Sequence, residues 1–354
     1  MTRLEKLRAY MAENGLDAFW VTGSVNHRYM CGFDNPDGEL LIGEYSAVAL
    51  QDFRYIEAAK NAIDKNDFEV LMLSRDCSLK DCIAGANYKR VGFEDNFVYS
   101  RRLDALKKSL PNVEFVAAGE AFEIMRKTKD ENEVECIIKA QRIAEKSFRE
   151  FLPRITHNAT ETELAAELEY IMKRNGSEGI SFDTIAVSGK NSALPHGVPR
   201  NVQLEKGFLT FDFGAMYKGY HSDMTRTVVV GKATDEMKHL YNTVLKAQTA
   251  VLDCITEGES LFKMDKIARD IIDGAGYAGA FGHSLGHGVG LEIHETPGMG
   301  PSSGDKKLVA GDVVTVEPGI YLFGKYGCRI EDMVYITNGG AVNLTEMEKE
   351  LIEI

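Results

Sequence analysis

The 354 residues exceed what one hydrophobic core usually serves, so two domains are expected. A net charge of −13 argues against a nucleic-acid partner, because phosphate binding needs a basic face. No apolar run approaches a membrane span of about 20 residues, and six cysteines without a CxxC pair suit reduced thiols in a cytoplasmic protein.

The chain opens on a segment charged throughout, with Leu4, Leu7 and Met11 at helical spacing. That pattern predicts an amphipathic helix, not a signal peptide. The helix ends near Asn14-Gly15, and Ala18–Thr22 reads as a strand carrying the only tryptophan, Trp20. Val48–Leu50, Val70–Leu73, Val91–Phe93 and Val113–Ala117 are further short apolar runs. Helical stretches such as Tyr55–Ala62 and Ser100–Leu110 lie between them. This alternation is an α/β pattern. Arg101, Arg102, Lys107 and Lys108 form the densest basic group and read as a solvated helix face. Asp52 and His27 are isolated and read as structural.

A domain boundary is expected near Arg126–Lys129, giving an α/β domain over 1–125 and a second domain over 126–354. Asp130 with Glu133 predicts the capped start of a long helix that runs to about Phe151, before Pro153. Thr160 with Glu163 predicts a second capping box, and Asn175-Gly176 ends that helix. Phe182–Ser188 is a strand, and the Gly, Asn and Pro content of 189–197 makes a loop. Phe208–Val230 is a hairpin turning at Tyr217-Lys218-Gly219. Two helices follow, near Asp235–Thr256 and Ser260–Asp273. Three histidines, His283, His287 and His294, then fall among Gly282, Gly286, Gly288 and Gly290. Glycine tolerates positive φ and close approach, so this run predicts a tight loop beside a ligand. Strands Val313–Tyr321 and Arg329–Thr337 close the chain.

Acids are placed to meet the histidine loop. If the first hairpin centres on Tyr217 and Lys218, Asp212 and Asp223 stand directly opposite, with Cβ atoms about 5 Å apart. Glu317 and Glu331 likewise flank the centre of the second hairpin, near Gly324. Their neighbours (Phe-Leu-Thr-Phe-Asp212-Phe, Val-Val-Thr-Val-Glu317-Pro) describe buried strands, where unpaired charge is costly. Two such acid pairs repel unless a proton or cation sits between them. Four carboxylates with one imidazole suit Mn²⁺, Co²⁺, Fe²⁺ or Zn²⁺ in an open catalytic site. Structural zinc prefers thiolates instead.

The ordered set Asp212, Asp223, His287, Glu317 and Glu331 resembles that of the pita-bread metallopeptidases, which include aminopeptidase P, prolidase and methionine aminopeptidase. The surrounding motifs match too: Pro195-His-Gly197, Ser222-Asp-Met-Thr-Arg-Thr227, Gly286-His-Gly-Val-Gly290, His294-Glu295, Thr315-Val-Glu-Pro-Gly319 and Arg329-Ile-Glu-Asp332. The resemblance implies an α/β N-terminal domain followed by an α+β pita-bread (creatinase/aminopeptidase-like) catalytic domain, working as a cytoplasmic homodimer. It implies two divalent metal ions per subunit, with Mn²⁺ or Co²⁺ ahead of Zn²⁺ or Fe²⁺. Asp212 would bind one ion, His287 and Glu317 the other, and Asp223 and Glu331 both. A water or hydroxide between the metals would be the nucleophile and Glu317 the general base. His294 would stabilise the oxyanion, His196 and His283 would line the substrate side, and Arg329 would brace the metal carboxylates.

The extra N-terminal domain and Arg329 favour the proline-specific branch over methionine aminopeptidase. The expected substrate is a peptide with proline at its second position. A dipeptidase needs a cation for the free C-terminal carboxylate, and Thr296–Ser303 contains no Arg or Lys. The expected activity is therefore Xaa-Pro aminopeptidase, with Xaa-Pro dipeptidase as the alternative.

Other patterns point elsewhere and are set aside. Gly282-His-Ser-Leu-Gly286 fits the G-x-S-x-G elbow of serine hydrolases, but no strand pattern precedes it and no aspartate lies between Ser284 and His294. Gly274–Gly279 fits G-x-G-x-x-G but follows a helix where a strand is required. His157, His221 and His239 read as surface or packing residues. Non-catalytic binding proteins of the same fold lack the metal ligands, all five of which are present here.

Overall fold

The computed structural model describes residues 1–354, which form two compact units, Met1–Arg126 and Lys127–Ile354. In the first, β1 (Ala18–Val21), β2 (Glu39–Gly43), β3 (Ala47–Gln51), β4 (Glu69–Met72), β5 (Arg90–Phe93) and β6 (Glu114–Ala117) form one sheet in the order β4-β3-β2-β1-β5-β6. Strand β2 is absent from the sequence reading, yet it pairs with both β1 and β3. Its apolar residues Leu40–Ile42 are a run of three bounded by Gly38 and Gly43, too short to display a period. His27 is fully buried, with Nδ1 2.8 Å from the Phe33 carbonyl and Nε2 3.0 Å from Gln51. Arg102 stays on the solvated face expected of it, its side chain 47% exposed, but its head group is engaged. It pairs with buried Glu39 and lies 5.0 Å over the Trp20 ring.

The second unit repeats one arrangement twice, an antiparallel sheet over two helices. β7 (Ile185–Ser188), β8 (Gly207–Phe213) and β11 (Met224–Val230) form an antiparallel sheet. The hairpin between β8 and β11 carries the short β9 (Met216–Tyr217) and β10 (Tyr220–His221). Side chains alternate across a strand. Leu209, Phe211 and Phe213 therefore pack with Phe148, Phe151, Leu164 and Leu168 on the helices Glu131–Phe151 and Glu161–Arg174. Thr210 and Asp212 point the other way. Both helices start at full capping boxes, on Asp130 and Thr160, each worth about 1 kcal/mol.

The other half holds β12 (Gly286–Gly288), β13 (Glu295–Met299), β14 (Val313–Val316), β15 (Gly319–Leu322), β16 (Tyr326–Arg329), β17 (Asp332–Thr337) and β18 (Gly340–Asn343). Val314, Val316, Val334 and Ile336 pack with Leu240, Val244, Met264 and Ala268 of the helices Asp235–Leu252 and Leu261–Ile272. Thr315 and Glu317 therefore face away from that core. No helix is long and apolar enough to cross a membrane.

Candidate metal centre

The first hairpin turns on Lys218 and Gly219, at φ 49° and 77°, so Tyr217 pairs with Tyr220. The centre is one residue later than the sequence reading. Asp212 consequently faces Thr225, and Asp223 lies just before β11 as a diagonal neighbour of Asp212 rather than its direct partner. The turn explains the difference. Two consecutive positive-φ residues make a tight two-residue turn that matches strand twist.

In the second hairpin, Val316 pairs with Asp332 and Gly319 with Arg329. The same register carried across the gap sets Glu317 opposite Glu331. Each expected strand is in fact broken there, into β14/β15 and β16/β17, because Pro318 has no N–H to give. The freed backbone groups stitch the site together. Glu317 N–H donates to the Leu285 carbonyl at 2.9 Å, and Glu331 N–H to the Thr225 carbonyl at 3.2 Å.

The glycine-histidine run is the loop expected except at Gly286–Gly288, which form the short strand β12. Its glycines serve close approach rather than positive φ. A Cβ on Gly286 would lie 2.0 Å from the Thr315 carbonyl oxygen, and one on Gly288 2.5 Å from that of Thr296. Only bare backbone lets β12 lie between β13 and β14.

These segments bring Asp212, Asp223, His287, Glu317 and Glu331 to the base of one cleft of about 720 Å³. His287 Nε2 is 3.5 Å from both Asp223 Oδ2 and Glu317 Oε1. Donor atoms of Asp223, His287 and Glu331 all lie within 4.8 Å of one another. Two threonines brace the acids. Thr225 Oγ1 donates to Glu331 at 2.8 Å and accepts from Arg329 Nε at 3.1 Å. Thr315 Oγ1 donates to Glu317 at 3.2 Å and accepts from His287 N–H at 3.1 Å. Arg329 Nη2 holds Asp212 Oδ2 at 2.6 Å.

The electrostatics fit a cation. Burial, then Glu331, Asp212 and Glu317, push the Asp223 carboxyl well above its ordinary range. Burial with Glu317 and Asp212 does the same for Glu331, and burial pushes Glu317 up to about 8. Asp212 Oδ1 and Glu331 Oε1 are buried without any hydrogen-bond partner, which is costly unless something positive meets them. Burial lowers His287 to about 4, keeping it neutral. Its Nδ1 lies 3.0 Å from the Gly288 carbonyl, so that nitrogen carries the proton and Nε2 offers a lone pair to the acids. Two buried and two half-buried carboxylates, two orphaned oxygens and one imidazole lone pair suit divalent ions.

Around this base, His196, His283 and His294 line the same cleft. His294 and His287 meet edge to face, with ring centroids 4.3 Å apart. Burial and Arg329 lower His283 to about 4, and its Nε2 accepts from the Tyr321 hydroxyl at 2.9 Å. That hydroxyl accepts in turn from Arg329 Nη1 at 2.7 Å. Thr225, Thr315 and Tyr321 escaped the sequence reading as site residues. The threonines sit inside quoted motifs. Tyr321 carries no motif signal, and only the register, which places it opposite Gly327 beside Arg329, could have revealed it. Ser284 is exposed in irregular chain with no strand before it, so the elbow is absent. His221 packs on Ser181 at 2.9 Å.

Residues 135–338 match the metallopeptidase family M24, and residues 3–128 match the creatinase/prolidase N-terminal domain. The chain belongs to the M24 family: it is a metal-dependent peptidase, with a creatinase-type N-terminal domain and a pita-bread catalytic domain. The Xaa-Pro dipeptidase of Pyrococcus furiosus is 39% identical over 354 residues, covering 99% of each chain. Among solved structures, the Xaa-Pro dipeptidase from Bacillus anthracis gives a TM-score of 0.94 at 38% identity, covering 99% of each chain. The X-Pro aminopeptidase from Thermotoga maritima MSB8 gives 0.92 at 36% identity, covering 99% of this chain and 100% of that one.

Proposed function

We propose that this protein is an Xaa-Pro dipeptidase using two divalent cations, Mn²⁺ or Co²⁺ before Zn²⁺ or Fe²⁺. The observation that carries the reading is the cluster of Asp212, Asp223, His287, Glu317 and Glu331 at the base of one cleft, with two buried oxygens left without partners. Dipeptidase replaces aminopeptidase as the first reading because full-length relatives, the Pyrococcus furiosus enzyme among them, carry that name.

Asp212 and His287 would hold one ion each, Glu317 would join His287, and Asp223 with Glu331 would be shared. When bound, the ions supply Lewis acidity and make water acidic near neutral pH. Glu317, steadied by Thr315, takes the proton of the attacking water and returns it to the departing prolyl nitrogen. His294, kept neutral by burial and by His196, donates its N–H to the carbonyl oxygen as charge develops. His196 and His283 face the peptide. Arg329 fixes Asp212 through one oxygen and leaves the other for metal. Proline's tertiary amide has no N–H, so a shaped cleft must replace backbone recognition.

One observation keeps the aminopeptidase reading alive. Arg329 is the sole Lys or Arg lining the cleft, and Asp212, Tyr321 and the Pro195 carbonyl occupy it. No free cation there awaits a C-terminal carboxylate. Steady-state rates on Xaa-Pro and Xaa-Pro-Yaa under each metal decide the matter. The dipeptide is expected to give the higher kcat/KM. A tripeptide hydrolysed faster would restore the aminopeptidase, and no cleavage of either under any metal would sink both.

A further inference from the structure

The fully buried Glu161 is remote from the five-residue cluster, yet its whole hydrogen-bonding capacity is spent on one loop of the cleft. It is the first residue of the helix Glu161–Arg174 and is 0% exposed. Its Oε1 accepts from Ser188 N–H at 2.7 Å, the Ser188 hydroxyl at 2.8 Å and Arg200 Nη2 at 3.0 Å. Its Oε2 accepts from Asn191 Nδ2 at 3.0 Å, Arg200 N–H at 2.9 Å and Arg200 Nε at 3.0 Å. Every donor belongs to one end or the other of the segment 188–200, which carries Pro195-His196-Gly197.

The inner side of that segment is tied to the site. Gly327 N–H donates to the Ser192 hydroxyl at 3.0 Å, and Arg329 Nη1 to the Pro195 carbonyl at 3.2 Å. Asn191 Nδ2 also spans the neck to the Val198 carbonyl at 3.0 Å. Between these ties residues 195–199 line the cleft, with Val198 75% exposed. A 3-10 turn over Gly189–Ala193 and the bonds from Leu194 N–H to the Asn191 carbonyl and Gly197 N–H to that of Leu194 shape this loop locally, but no β-ladder ties it to its surroundings, so its placement depends on what holds its ends.

We propose that Glu161 and Arg200 are a positioning pair that clamps the His196 loop in its substrate-facing form. The clamp acts through binding, because it removes ordering cost before the peptide arrives. It touches neither the reacting atoms nor the metal carboxylates. The proposal rests on the reading that His196 faces the peptide.

Arg200 is the residue to change, since its side chain is 40% exposed, whereas truncating the fully buried Glu161 endangers the fold. Two measurements test Arg200→Ala. Amide hydrogen exchange over 189–199 needs no substrate and is expected to rise at least about tenfold, with bound metal unchanged. KM for the better Xaa-Pro peptide is expected to rise about tenfold, with kcat within about threefold. Arg200→Lys, which keeps charge but not the fork, should recover part of the loss. In a His196→Ala background, Arg200→Ala should add little.

Unchanged exchange overturns the clamp, and so does a KM factor that is equal in both backgrounds. Faster exchange in a metal-loaded protein that cleaves no Xaa-Pro peptide would instead sink the peptidase reading and leave the clamp standing. If His196→Ala leaves KM untouched, the substrate-facing reading of His196 fails and the functional half of the proposal with it.

Discussion

Two regions of the cleft are built on opposite principles. The acids and imidazole at its base stand on strands or at strand breaks, and Asp212, His287, Glu317 and Glu331 are each braced by a threonine or an arginine. His196 and His294 stand on exposed irregular chain above them, and their supports lie behind the loops. Glu161 with Arg200 serves one. Lys129 with Glu295, a pair at 2.9 Å whose side chains are 1% and 6% exposed, serves the other. The base concentrates like charge that folding alone would not tolerate. The rim carries imidazoles whose loops must be held while their tips stay free. Chemistry that needs cations belongs to the first region, and recognition of a peptide to the second.

Breaking the base should cost the most. Asp223→Asn or Glu331→Gln removes a shared negative charge while keeping shape. Losing several kcal/mol of transition-state stabilisation predicts a fall in kcat of roughly a thousandfold or more. Circular dichroism should show the fold retained, and metal analysis should show ions lost. Substantial turnover in a fully metal-loaded variant would remove these residues from the shared position. Breaking the rim should cost less. His294→Ala deletes one donor to the developing oxyanion, which predicts about a 10²–10³-fold loss in kcat with metal content intact. A loss confined to KM would make His294 a binding group instead.

The two regions also differed in how far the sequence revealed them. The acids were legible because a charge inside runs such as Val-Val-Thr-Val-Glu317-Pro contradicts its neighbours. The second hairpin's spacing placed Glu317 against Glu331 because the same register runs through both halves of the break. The first hairpin's register slipped by one although the signal was present: a two-residue turn needs positive φ at both central positions, which Gly219 takes freely and Tyr217 does not. Glu161 carries no signal in the sequence, since an acid in a helix's first turn is already explained by the helix dipole. Its partners are 27 to 39 residues away, a distance that no local pattern spans. Strand β2 and Tyr321 were missed for the same reason. Their identities are set by partners, not by period.

The smallest expected effect is on stability, and it separates the two regions without any substrate. In metal-free protein the folded state holds Asp223, Glu317 and Glu331 protonated to higher pH than an unfolded chain does, because burial disfavours their ionised form. Over that window the folded state binds more protons than the unfolded state, so stability falls as pH rises. The fall begins near the ordinary Glu value of 4.5 and, for Glu317, continues to about 8. Chelated protein should therefore melt at lower temperature at pH 8 than at pH 6.5, above which the buried histidines are neutral in folded and unfolded chains alike, by roughly 2–4 °C for each kcal/mol lost. Added Mn²⁺ or Co²⁺ should flatten the slope, because a bound cation keeps the acids ionised at little cost. His283, lowered to about 4 by burial, works in the opposite sense: between that value and the ordinary 6.5 only the unfolded chain binds its proton, so its contribution rises with pH and is complete above about 6.5. The net charge of −13 also strains the fold as pH rises, and Glu331→Gln controls for it. That change removes one buried acid but alters overall charge little, so the chelated variant should show a shallower slope. A slope identical to that of the unaltered chain would assign the pH dependence to the surface, and would mean that the base of the cleft is not the buried cluster of mutually repelling acids described above.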